Sequence, residues 1–147
     1  MFGTATLLAI SLANVSAKDK AGETFLKKAI EGNFAEVSMG DLAQKNGQSD
    51  DVKSYGKLLY ADHAAANQKA LDAAKGLGMN PPSGPNAKQS ADYDKMFAAH
   101  MVADHQKDLA EYKKATKNKD AAGEYAAGQI DTLQKHLDTA KSLRPGK

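Results

Sequence analysis

Imidazole is the side chain best suited to hold a divalent ion or share a proton at neutral pH, and this chain of 147 residues has four histidines. Two of them sit in the same tripeptide, Ala61-Asp62-His63 and Ala103-Asp104-His105. A third, His136, follows Thr132-Leu133-Gln134-Lys135. Cysteine is absent, which removes thiolate ligands and disulfides. No nucleophile motif and no phosphate-binding glycine loop occurs, and Gly76-Leu77-Gly78 reads as a helix stop. The chemistry on offer is that of histidines and carboxylates, provided something brings them together.

Helices are the elements available to do so. Ala, Lys and Asp are abundant, Trp is missing, and few segments are rich in β-branched residues. A first helix is predicted from about Lys20 to Lys45, ending at Asn46-Gly47. Ser49 with Asp50 and Asp51 opens a second, which runs to Leu77 and stops at Gly78. The prolines of Met79 to Pro85 exclude helix there, and Asn86 with Gln89 forms a capping box for a third helix reaching about Lys117. After a break at Asn118 to Asp120 a fourth helix runs to about Leu143. Short first and third connections make their helices antiparallel, so the expectation is an all-α, up-down-up-down four-helix bundle.

Apolar positions at spacings of three and four give each helix an inward stripe. The stripes are Ala29, Asn33, Glu36, Val37, Gly40 and Ala43; Val52, Tyr55, Leu59, His63, Ala66 and Ala70; Met101, Val102, His105, Leu109 and Tyr112; and Ala126, Ile130, Leu133, His136, Leu137 and Ala140. Each stripe carries one candidate ligand: Glu36, His63, His105 and His136. Counted from the turns, each antiparallel pair is offset by roughly 6 Å, within side-chain reach. A buried carboxylate needs a cation, a protonated imidazole or hydrogen-bond donors. One Glu with three His suits a single zinc ion, with iron or copper as alternatives.

Neighbours on a helix point about 100° apart, so Asp62 and Asp104 stand beside the stripes. There they either accept from the second ring nitrogen of a ligand on the next helix or lie on the surface, Asp104 pairing with Lys107. His100 is about 140° around the helix from His105 and is set aside. Met39 and Met101 read as packing residues.

Formal net charge is only +2, and lysines alternate with acids, which argues against a nucleic-acid surface. Residues 1–17 carry no charge, run apolar from Phe2 to Ala13 and end in Val15-Ser16-Ala17. This reads as a secretory signal peptide, although no Lys or Arg precedes the apolar run. The mature domain is then residues 18–147, periplasmic or secreted, with no transmembrane span.

Phe25-Leu26-Lys27-Lys28-Ala29, Gly32-Asn33-Phe34-Ala35-Glu36-Val37, Leu42-Ala43 and Tyr60-Ala61-Asp62-His63 resemble the first half of the bacterial domain-of-unknown-function family numbered 4142. Tyr93-Asp94-Lys95-Met96-Phe97, Met101 to His105 and Thr132 to Leu137 resemble its second half. The resemblance implies a ferritin-like, exported protein, and the positions the family usually keeps match Glu36, His63, His105 and His136. Di-iron bundles, however, place Glu-x-x-His on two helices, and no such motif occurs in this chain. One mononuclear site with a structural, metal-buffering or stress-related role is therefore expected. Two alternatives stay open: a metal-free envelope interaction bundle with a buried Glu/His cluster, and a mononuclear metalloenzyme with Glu36 as base.

Overall fold

The computed structural model describes residues 17–81 and 93–143, and in them the chain forms helices and no strand. They are α1 (Ala17–Asn46), α2 (Asp50–Gly76), α3 (Tyr93–Ala115) and α4 (Ala121–Ser142). The signal-peptide segment and the capping box at Asn86 and Gln89 lie outside the described residues, apart from Ala17 itself. Ser49 caps α2 by accepting from the Val52 N–H at 3.2 Å, as its sequence position predicts. Asp120 caps α4 through the N–H groups of Ala122 and Gly123. At the far end of α2, Gly78 takes φ 71° and the Met79 N–H reaches back to the Ala74 carbonyl. A side chain at position 78 would strain that turn.

The class is the expected four-helix bundle, but α3 runs the other way. Asp94, in the first turn of α3, accepts from the backbone N–H groups of Gln48 and Ser49 at 2.9 and 3.0 Å. The starts of α2 and α3 are thus at one end of the bundle. At the other end the start of α1 meets that of α4, since a Cβ on Gly22 would lie 3.4 Å from the Ala122 Cβ. The order is therefore up-down-down-up, not up-down-up-down. Short turns fix only the pairs they join. The sixteen residues between Gly76 and Tyr93 span roughly 50 Å when extended, more than the ~40 Å length of α2, so they suffice to cross the bundle. One such crossover is the connectivity of ferritin-like bundles.

Two apolar clusters fill the interior. One joins Leu26, Ile30, Ala70, Leu109, Tyr112, Tyr125, Leu133 and Leu137. The other joins Met39, Ala43, Val52, Tyr55, Leu59, Phe97, Met101 and Ala140. On α1, α2 and α3 the buried Asn33 and Glu36, His63 and Asn67, and His105 fall between them, and on α4 His136 sits at their boundary, one turn before Ala140 of the second cluster. The stripes read from sequence are the buried faces, with Val37, Val102 and Ile130 only partly covered.

α1 and α2 cross at Gly40 and Gly56. A Cβ on Gly40 would stand 2.6 Å from the Gly56 carbonyl oxygen, and one on Gly56 would stand 2.5 Å from the Ala43 Cβ. Backbone cannot yield as a flexible side chain does. Gly56→Ala should therefore destabilise by roughly 1–3 kcal/mol, although alanine is the better helix former. Urea unfolding measures this, and a stabilised variant would show that the helices are free to move apart. Among the described residues no helix is long and apolar enough to cross a membrane.

Candidate metal centre

His63 on α2, His105 on α3 and His136 on α4 project into the same layer and are almost wholly buried. One ring nitrogen from each lies within 4.8 Å of the others. The ring centroids are 5.0–5.6 Å apart.

The other nitrogen of each ring has its own partner, and those partners settle where the protons are. His105 Nδ1 lies 2.9 Å from the Met101 carbonyl oxygen, which only accepts, so Nδ1 carries the hydrogen. His136 Nε2 lies 2.9 Å from Asp62 Oδ2 and donates to it. His63 Nδ1 lies 2.9 Å from Asn33 Oδ1, while the Asn33 amide nitrogen donates to the Tyr125 hydroxyl. A neutral imidazole has one N–H, so His63 Nε2, His105 Nε2 and His136 Nδ1 are left as bare lone pairs. His105 Nε2 and His136 Nδ1 face each other at 3.3 Å, and His63 Nε2 is buried without a hydrogen-bond partner.

Burial keeps these rings neutral. It holds His63 well below the ordinary imidazole range, with His136 and His105 adding to the effect. It brings His105 down to about 4 against the opposing hydrogen bond to Met101. His136 is also lowered by burial, with Asp62 pulling the other way. Proton sharing is therefore disfavoured at neutral pH, while the lone pairs remain available to a metal.

Glu36 is buried but is not one of the converging groups. Its Oε1 lies 4.0 Å from His105 Nδ1, the nitrogen turned toward Met101, and its Oε2 has no hydrogen-bond partner. Burial, with Asp104 and Asp108 nearby, pushes its carboxyl up to about 8. Of the four residues predicted as one ligand set, the structure thus brings together three and places Glu36 behind His105.

The two Ala-Asp-His copies also diverge. Asp62 supports His136, across from α2 to α4. Asp104 instead pairs with His100 one turn back on the same helix, at 2.9 Å, and both are well exposed. His100 is thus a surface residue, and Lys107 is not the partner of Asp104.

The sequence reading gave no role to Asn33, to the Met101 carbonyl or to the two tyrosines. Tyr112 and Tyr125 hydroxyls lie 3.3 Å apart and extend the chain from Asn33. The Tyr55 hydroxyl donates to the His136 carbonyl, fixing α4 against α2. Asn33 was detectable in principle: an amide on a buried stripe beside a glutamate must find hydrogen-bond partners.

No curated protein and no solved structure matches the chain. The family model described as Domain of unknown function (DUF4142) matches residues 9–143. That span takes in all four helices, the three histidines and Glu36, and the chain belongs to this family.

Proposed function

We propose that this protein is an exported helical bundle that reversibly holds one divalent metal ion, zinc first, through His63 Nε2, His105 Nε2 and His136 Nδ1. The supporting observations are that one ring nitrogen of each histidine lies within 4.8 Å of the others, and that each ring's N–H is committed elsewhere. A tetrahedral ion with bonds of 2.0–2.1 Å keeps its ligand atoms roughly 3.3 Å apart. The 3.3 Å separation of His105 Nε2 and His136 Nδ1 is that spacing. Without an ion it sets two lone pairs against each other. Iron and copper also accept imidazole ligands.

Three histidines leave one position on such an ion. A cavity of about 10 Å³ borders His63, His136 and Asp62, close to the room one water needs. Glu36 does not line that cavity, which disfavours it as a base acting on a water there. The role supported best is metal retention and buffering, with the ion joining α2, α3 and α4.

The test is metal analysis of tag-free protein after zinc, iron and copper are offered in turn. One ion per chain is expected, and none in the His63→Ala/His136→Ala double variant. Wild-type protein that retains nothing would leave the metal-free polar cluster as the reading. Asp62→Ala should weaken zinc binding about 10–100-fold, because His136 loses the group that sets its tautomer. Competition with a chromophoric chelator measures that change, and equal affinities would remove Asp62 from the centre.

A further inference from the structure

A second feature lies on the opposite side of His105. α1 and α3 do not close on each other, and between them is a cleft of about 310 Å³. Five carboxylates line it against two lysines, and Lys28 is already paired with Glu111 at 3.8 Å. Lys107 offsets part of the remaining charge beside Asp108. The residue that makes this more than an acidic surface is Glu36. It lines the cleft, is only 4% exposed, and has a carboxylate oxygen with no partner. An unpartnered buried carboxylate is costly and is met in proteins chiefly where a cation or a donor completes it.

We propose that the α1–α3 cleft is a second cation site, distinct from the histidines, which binds a hydrated divalent cation between Glu36 at its base and Asp104 and Asp108 at its mouth. The donors are oxygens only, which selects hard ions such as magnesium, calcium or manganese. Among the described residues the three histidines are the only group of three or more whose ligand atoms all lie within 4.8 Å of one another, so the cleft acids meet the ion through its water shell. Space for that shell exists, since 310 Å³ corresponds to about ten waters. The ion would ionise Glu36 and screen Asp104 from Asp108. This site does not require that the histidines bind metal.

Terbium, a luminescent stand-in for calcium, tests the proposal. The chain has no Trp, so sensitised emission must come through tyrosine, and Tyr112 lines the cleft. Terbium titrated into the full chain should give emission that saturates at one ion per chain and is displaced by calcium. The same result is expected after the protein has been loaded with zinc. Asp108→Asn, at a part-buried position, and Glu36→Gln should each weaken terbium about tenfold. Absence of saturable emission overturns the proposal, as does undiminished binding in both variants. Loss of the signal on zinc loading would overturn it too, by placing terbium on the histidines. If zinc itself fails to bind, the titration of zinc-free protein still decides the cleft.

Discussion

Saturating zinc should raise the melting temperature of the metal-free protein by roughly 10–20 °C. At a free ion concentration a thousand times the dissociation constant, binding to the folded state alone adds about 4 kcal/mol. For a domain of this size each kcal/mol is worth roughly 3–5 °C. The gain follows from the arrangement of the rings. His105 Nε2 and His136 Nδ1 present lone pairs to each other at 3.3 Å, and His63 Nε2 has no hydrogen-bond partner, contacts that are unfavourable unless something completes them. An ion turns these contacts into bonds linking three helices. The increment should vanish in the His63→Ala/His136→Ala variant, whatever its starting stability. It should also survive mild acid. His105 protonates only near 4, so protons compete weakly as pH falls from 7 toward 6. A wild-type melting curve unmoved by zinc or by chelation would favour the metal-free bundle.

Glu36→Gln should stabilise the metal-free protein at alkaline pH, on the order of 4 kcal/mol at pH 8 and little near pH 4.5. The folded carboxyl titrates near 8 and the unfolded one near 4.5. Over that window the unfolded chain has already released a proton that the folded chain retains. Stability contributed by the proton-bound carboxyl is complete below 4.5 and is lost as pH rises through 8. The histidines act in the opposite direction and elsewhere. Their folded pKa values are depressed, so stability falls as pH drops below about 6.5, where unfolded imidazoles take up protons. Between about pH 6.5 and 8 the slope from this buried layer belongs to Glu36. Urea unfolding across that range should show a decline in wild type that the glutamine variant lacks. Parallel profiles would mean that Glu36 ionises freely in the folded protein.

Which residues face inward was legible because helical spacing fixes it: His63, His105, His136 and Glu36 are all buried. What spacing cannot fix is where a side chain ends. Glu36 and the Nε2 of His105 are on opposite sides of one imidazole ring, a difference smaller than any error in helix boundaries. The paired Asp62 and Asp104 separate for a related reason. Their local sequence is the same, but α4 lies beside Asp62 while Asp104 borders an open cleft. The direction of α3 was hidden because the turn at Asn46-Gly47 and the break before Asp120 say nothing about how α2 connects to α3.

The buried polar layer also bears on how the molecule unfolds. It divides the interior into two apolar clusters, and each draws residues from all four helices. Each cluster is thus a short bundle, and the histidine layer is the joint between them. Regions with separate apolar cores can open with separate free energies. An ion across that joint links the two halves, so occupancy would set whether the protein opens piecemeal or as one cooperative unit.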